Sequence, residues 1–263
     1  MKIAAYKHII AELKERYAIV RLNRPAVFNS FNQEMAFELQ EFLDFCAENV
    51  QIRALMITGE GKAFCAGQDL AEVTDPAGPP LPEIVRAHYN PIISRIRKLQ
   101  IPVVAAVNGV AAGAGANIAL SCDVVVASSS ASFIQAFSKI GLVPDSGGTF
   151  FLPRLIGFQK ASALMMLGDK VSAEEAEKMG MIYRCIDAES FSVETEKIIE
   201  TLSAMPTKGL WLTKKALNES MTNDLSEQLE VEAKCQTEAG LTVDYNEGVS
   251  AFLEKRKAVF IGK

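Results

Sequence analysis

Three stretches of the chain hold residue types that could do chemistry together. The first is residues 102–123, Pro-Val-Val-Ala-Ala-Val-Asn-Gly-Val-Ala-Ala-Gly-Ala-Gly-Ala-Asn-Ile-Ala-Leu-Ser-Cys-Asp, in which Gly109, Gly113 and Gly115 follow an apolar run. Glycines there permit a sharp turn and a close approach of backbone to a ligand. A helix opening at Gly113 would aim free N–H groups and the positive end of its dipole at whatever lies above the preceding strand. The negative charge bound there is either a phosphate or an oxyanion that develops during a reaction. A dinucleotide phosphate fits poorly: Gly113 and Gly115 put Ile118 where the G-x-G-x-x-G fingerprint wants a small residue. Nor does an acid lie about 20 positions on to hold a ribose, Asp123 being too near and Asp145 too far. An oxyanion needs a second donor. Residues 62–70, Lys-Ala-Phe-Cys-Ala-Gly-Gln-Asp-Leu, form a small-residue turn after a strand, so the N–H of Ala66 or Gly67 could reach the same cleft. The third stretch is 141–149, Gly-Leu-Val-Pro-Asp-Ser-Gly-Gly-Thr, which supplies one acid, Asp145. Its apolar setting would suit a carboxylate held out of water with a raised pKa. Spacing alone favours the plainer role of a helix N-cap.

The elements around these stretches read as alternating strands and helices. Residues 102–107 have no polar alternation and are expected to form a strand buried on both faces. Residues 17–23 and 54–58 are strands; between them, residues 33–49 place Met35, Phe37, Leu39, Phe42, Leu43, Phe45 and Cys46 largely at helical spacing. Strand, helix, strand at this interval implies crossover units and mainly parallel pairing. Further strands are expected at 123–127 and, briefly, 132–135. The segment 74–82 holds four prolines and reads as a surface loop, either a wall or lid of the site or a passive linker. Ser172 and Glu175 spell a capping box for a short helix ending at Gly180, and residues 181–186 return to strand character. Helices are then expected over 190–203, 208–219, 224–238 and 245–257, their charges mostly on solvated faces.

Composition narrows the classes. At 263 residues, about half of them apolar, the chain can bury a sizeable core as one large domain, or as one domain with a helical appendage. The expected division is a core over 1–200 that carries the site and a helical region over 201–263. A formal net charge of -5 without any basic stripe argues against nucleic acid. No apolar run reaches the ~20 residues a membrane span needs, and the N-terminus lacks a signal peptide's core. A cytoplasmic protein with no membrane partner is expected. Cys46, Cys65, Cys122, Cys185 and Cys235 match neither a disulfide framework nor a zinc site, so no metal is expected. His8 and His88 are far apart and neither sits near a Gly-flanked serine, which disfavours a Ser-His-Asp hydrolase.

Taken together, the 62–70 motif, the 102–109 run with its Gly-Ala-Gly helix, the 141–149 motif and Leu-Asn-Arg-Pro at 22–25 with Asn29 resemble the crotonase, or enoyl-CoA hydratase/isomerase, family. The likeness covers nearly the whole chain, with several motifs in the right order. It implies an α/β fold built as a spiral of repeated ββα units, and a C-terminal helical region for assembly as a homotrimer or dimer of trimers. It also implies binding of an acyl-CoA thioester. Coenzyme A is then part of the substrate, and no separate cofactor is implied. The resemblance maps the two oxyanion donors to Ala66 and Ala114. It places Gly67, Gly113, Gly115, Asn117 and Phe137 around the acyl group. The CoA moiety falls to Ala63, Ala66, Gln68, Asp69 and Leu70, with Arg24, Lys62 and a neighbouring subunit's Lys255 facing phosphates.

Departures from the pattern decide the expected chemistry. Hydratases of the family carry two glutamates where this chain has Asn117 and Phe137, and neither of these can activate water. One acid remains, Asp145, at a position where isomerases and dehalogenases of the family also carry aspartate. A single carboxylate suffices to move a proton beside a thioester. Residues 108–120, 136–155 and 244–256 further resemble the 1,2-epoxyphenylacetyl-CoA isomerases of phenylacetate degradation. Those enzymes expand an epoxide ring to an oxepin and shift enoyl-CoA double bonds. The expected function is therefore acyl-CoA isomerisation through Asp145. The alternatives are a weak hydratase, a thioester hydrolase or dehalogenase using Asp145 as nucleophile, and a CoA-binding protein without catalysis.

Overall fold

The computed structural model describes residues 5–263. Two sheets form its frame. The larger contains β1 (Ile9–Leu13), β2 (Tyr17–Leu22), β3 (Ala54–Gly59), β5 (Val103–Val107), β7 (Val124–Ser128) and β10 (Arg184–Ile186), in that spatial order. The smaller contains β4 (Ala63–Cys65), β6 (Val110–Ala112), β8 (Ser132–Ile134) and β9 (Lys170–Ser172). The hairpin β1–β2 and the pair β8–β9 are antiparallel, and every other pairing is parallel.

The spiral follows from three successive strand pairs. In β3–β4, β5–β6 and β7–β8 the first strand joins the large sheet and the second joins the small one, after which the chain runs into helix. Parallel strands covered on both faces must be apolar throughout, and β5, Val-Val-Ala-Ala-Val, is buried at every position. Val103, Ala105 and Val107 face the main core with Leu39 and Phe42, while Val104 and Ala106 face Ile199 of the helix Phe191–Ala204. The same arrangement brings the C-terminal ends of β4, β6 and β8 side by side, with Cys65 paired to Ala111 and Ala112 to Ile134. The three segments that leave those ends begin at Ala66, Gly113 and Gln135. They are adjacent in space although about 70 residues apart in the chain, as the sequence numbers give directly.

Two buried polar anchors fix the last helices to this frame. Lys214, on the helix Thr207–Ser220, is 5% exposed; its Nζ donates to the carbonyls of Ile96 (2.7 Å) and Ile101 (3.2 Å) and pairs with Asp123 Oδ2 at 2.8 Å. Arg53 donates to Thr207 Oγ1 and to the carbonyls of Met205 and Phe260. Several expected elements shift. The proline-rich segment is open only to residue 80; Leu81 and Pro82 begin a helical turn, because proline is tolerated where no intrahelical N–H is needed. Strand β1 and the helices Asn90–Lys98 and Phe158–Leu167 carry no signal that the sequence reading took up.

Candidate active site

The three strand ends converge on a compact set of groups. Gly113 (φ 53°, ψ −126°) turns the chain from β6 into the helix Ala114–Leu120, a conformation that side chains rarely adopt. Its N–H donates to the Ile134 carbonyl at 2.9 Å, tying the turn to β8. A Cβ at Gly115 would lie 2.7 Å from Cys65 Sγ, so glycine there lets the helix rest on the end of β4. The helix therefore opens as expected. The Ala114 N–H, in its first turn, has no acceptor among the described residues.

The second expected donor is engaged. The Ala66 N–H donates to the Phe28 carbonyl at 3.0 Å, and the Gly67 N–H points at Cys65 Sγ at 3.4 Å. Phe28 and Asn29 are both left-handed, at φ 52° and 57°. Asn29 is fully buried and fixed: its Oδ1 accepts the Arg24 N–H, and its Nδ2 donates to the carbonyls of Glu60 and Ala63. A bulky residue such as Phe28 in that conformation is strained and is held there by its surroundings.

Asp145 does not cap the following helix. The helix Gly148–Ile156 has Gly147 at its cap and no side-chain capping bond, so the plainer reading of Asp145 gives way. Residues 146 and 147 have φ 51° and 74°, and the Gly148 N–H returns to the Asp145 carbonyl at 2.9 Å, closing a tight turn. The Asp145 carboxylate accepts the Ser146 hydroxyl at 2.9 Å. Burial pushes its pKa above the usual 3.8, and the Ser146 hydroxyl and a backbone N–H partly offset that shift. Tyr89 couples to the same charge. Its phenol is buried, donates to Gln68 Oε1 at 2.7 Å and titrates well above 10, chiefly through burial and then through Cys65 and nearby acids, Asp145 first among these.

The remaining expected residues divide. Phe137 is buried, with its ring 3.7 Å from where a Cβ would stand on Gly113. Asn117 is fully buried and its amide is used at both ends: Nδ2 donates to the Asp145 carbonyl (2.8 Å) and Oδ1 accepts Gln135 Nε2 (2.8 Å). Gln135 is a site residue the sequence reading missed, although it directly follows β8 and stands two positions from Phe137. Arg24 and Asp69 face each other, Nη2 to Oδ2 at 2.7 Å, and Arg24 also donates to the Ser30 carbonyl. Asp69 caps the short helix Leu70–Thr74, whose first residue, Leu70, is exposed. Gln68 Nε2 donates to Glu72. Lys62 is exposed and Ala63 buried at the start of β4. Lys255 stands apart from this cluster, at the end of the helix Val243–Glu254, which packs on Leu225–Gly240. No group of three or more His, Cys, Asp or Glu with metal-binding geometry occurs among the described residues.

A spiral of ββα pairs, with a helix-terminal N–H and a half-buried acid at the strand ends, is a combination that comparison with known proteins can test. A model of the enoyl-CoA hydratase/isomerase family matches residues 12–263. The chain belongs to the enoyl-CoA hydratase/isomerase family. It is 46% identical to the 1,2-epoxyphenylacetyl-CoA isomerase of Escherichia coli K12, over 97% of this chain and 98% of that protein. It is 35% identical to the crotonyl-CoA hydratase of Syntrophomonas wolfei, over 98% of this chain and 100% of that one. Among solved structures, an enoyl-CoA hydratase of Bacillus anthracis superposes with a TM-score of 0.91 at 31% identity, covering 98% of this chain and 100% of that chain. As a member of this family the protein has the crotonase-type α/β spiral and is an enzyme acting on CoA thioesters. Relatives that add water and relatives that isomerise share its frame, so the residues at the strand ends must separate the two activities.

Proposed function

We propose that this enzyme is an acyl-CoA isomerase in which Asp145 removes a proton beside the thioester and returns it at another carbon. The observation that carries the reading is the Asp145 carboxyl, raised by burial, with amide and phenyl side chains at the two positions, 117 and 137, where a second acid would serve hydration. A raised pKa keeps both protonation states accessible near neutrality, as a proton shuttle requires. The thioester oxygen, negative in the enolate, would take the free Ala114 N–H and compete with the Phe28 carbonyl for the Ala66 N–H. The similarity to a protein named 1,2-epoxyphenylacetyl-CoA isomerase supports the same ring expansion here, to an oxepin thioester, alongside shifts of enoyl-CoA double bonds. In this reading coenzyme A enters with the substrate and the chain needs no resident cofactor or metal.

The 62–70 loop, with Lys62, Ala63, Ala66, Gln68, Asp69 and Leu70, would run along the CoA moiety. Arg24 would act by holding Asp69 rather than by meeting a phosphate, since its guanidinium already has two partners. Exposed Leu241, Phe252 and Leu253 on the C-terminal helices support assembly as a trimer or dimer of trimers, in which Lys255 would serve a neighbour's site. A cytoplasmic location accords with these substrates; no helix among the described residues is long and apolar enough to cross a membrane.

The test is mass spectrometry of reactions with a 2-enoyl-CoA, a 3-enoyl-CoA and the epoxyphenylacetyl thioester. Products of unchanged mass, formed by wild type and absent with Asp145→Asn, are expected. Products heavier by one water would establish hydration and displace this reading, free CoA would establish thioester hydrolysis, and halide released from an added 4-chlorobenzoyl-CoA would establish dehalogenation.

A further inference from the structure

We infer that Gln135 and Asn117 form a positioning relay that holds the turn of Asp145 and so sets where its carboxylate stands relative to the Ala114 N–H. The inference rests on the role proposed above for Asp145 and names the residues that make that role geometrically possible. The turn from Asp145 to Gly148 has positive φ at both central residues, the mirror image of the common type I turn. Gly, Asn and Asp are the usual occupants of such positions, so Ser146 sits there at a steric cost. Something must over-determine that backbone for it to persist.

The hydrogen-bond pattern shows what does. The Asp145 carbonyl accepts from the Gly148 N–H within the turn and from Asn117 Nδ2 outside it. Asn117 lies on the helix Ala114–Leu120, whose first N–H is the free oxyanion donor, so this bond ties the acid's backbone to the donor's own helix. Gln135 then fixes the amide of Asn117. With Gln135 Nε2 donating to Oδ1, a reversed amide would set oxygen against the Asp145 carbonyl and NH2 against NH2.

The arrangement carries a cost at its far end. Gln135 is 4% exposed, and its Oε1 is buried without a hydrogen-bond partner. Buried acceptors are nearly always satisfied, so this side chain is kept for its NH2 alone. Gly148 closes the enclosure: a Cβ there would stand 2.3 Å from Asn117 Nδ2.

The test uses three variants that break the relay differently. Gln135→Leu removes both the donor and the orphan acceptor. Asn117→Leu removes the bond to the turn. Gly148→Ala displaces the Asn117 amide while leaving every hydrogen-bonding group in place. The first measurement needs no substrate: the carbon-13 titration of the Asp145 carboxyl, recognised as the signal missing from Asp145→Asn. The Tyr89 phenol, which feels the Asp145 charge, titrates well above 10 and stays protonated over the range scanned. A shifted midpoint is expected in all three variants. The second measurement is turnover of whichever thioester wild type isomerises. A kcat lower by about 10- to 100-fold with KM within about 3-fold is expected, because misplacement of a reacting group by about 1 Å costs on that scale. The double variant of Gln135 and Asn117 should be no worse than Asn117→Leu, since the two act in series.

An unmoved midpoint in Gln135→Leu and Gly148→Ala would overturn the relay, even if activity fell with a lower melting temperature. Multiplicative losses in the double variant would do the same. If midpoints move as expected but wild type isomerises no thioester, the relay stands and the reaction assigned to Asp145 fails.

Discussion

The Phe28 carbonyl accepts the Ala66 N–H at 3.0 Å, whereas the Ala114 N–H, across the strand ends, meets no acceptor among the described residues. The two donors of the expected oxyanion hole are therefore unequal before substrate binds. An oxygen entering the site meets Ala114 at no cost in lost bonds, and must share or displace a hydrogen bond at Ala66.

Removal of the Ala114 donor should thus account for most of the hole's effect. Proline fits the first turn of a helix, where no intrahelical N–H is required, so Ala114→Pro deletes the donor without breaking an intrahelical hydrogen bond. A kcat lower by about 10²- to 10³-fold is expected, the scale seen for loss of one such donor. The thioester carbonyl stretch of a bound, unreactive acyl-CoA should rise toward its value in water. An unchanged stretch, with affinity retained, would mean that Ala66 carries the charge after all.

Asp145 links pH to stability in a direction opposite to most carboxylates. Burial raises its pKa above 3.8, so the folded chain binds this proton more tightly than the unfolded one. The stability it contributes is complete below about pH 4 and is lost as pH rises through the folded value. At pH 7 the buried charge is a net cost. Asp145→Asn should therefore unfold at an equal or higher denaturant concentration than wild type at pH 7, and lose that advantage toward pH 4. A variant less stable than wild type at pH 7 would show that the carboxylate is stabilised as a charge, contrary to its setting.

Ser146 tests the same group from the other side. Its hydroxyl favours the ionised carboxylate at 2.9 Å, against the effect of burial. Ser146→Ala should move the acidic limb of the kcat/KM profile upward by about one pH unit or less, since one such bond contributes on the order of 1 kcal/mol. Ser146→Gly should shift the limb equally while relieving the left-handed strain at φ 51°. A limb that moves downward in both variants would show that Ser146 stabilises the neutral acid.

Much of this site could be read from residue order. The glycine run at 109–115 forecasts the helix that opens at Ala114, and the apolar continuity of 103–107 forecasts a strand covered on both faces, because each is a local rule of backbone and burial. The engagement of Ala66 could not be read, since it depends on Phe28, nearly 40 positions away, taking a conformation that its residue type disfavours. Asp145 gave two local readings, and the turn chemistry of Ser146 and Gly147 decided against the cap. Gln135 carried no pattern of its own; it matters because β8 lies beside β6, a fact of topology rather than of spacing. The charges of the C-terminal helices read as solvated faces, and Lys214 and Asp244 are buried exceptions.

Lys214 is buried, and that burial depresses its pKa while Asp123 partly restores it. Its ammonium has three acceptors: the carbonyls of Ile96 and Ile101 and the carboxylate of Asp123. Asp123 also accepts the Val103 N–H at the start of β5 and pairs with Arg97, so one carboxylate joins the helix Thr207–Ser220 to the strand that leads to the site glycines. Replacing Lys214 by Met keeps the volume but strands two carbonyls and leaves Asp123 with Arg97 as its charged partner and the Val103 N–H. A loss of about 3 kcal/mol in unfolding free energy is expected, the scale for breaking a buried pair from one side. The double change Lys214→Met with Asp123→Leu should cost less than the sum of the two single changes, because it removes the stranded charge together with its partner. Urea unfolding of the four proteins measures this coupling. Additive costs would mean that the helix is held by its apolar contacts, with the pair contributing little.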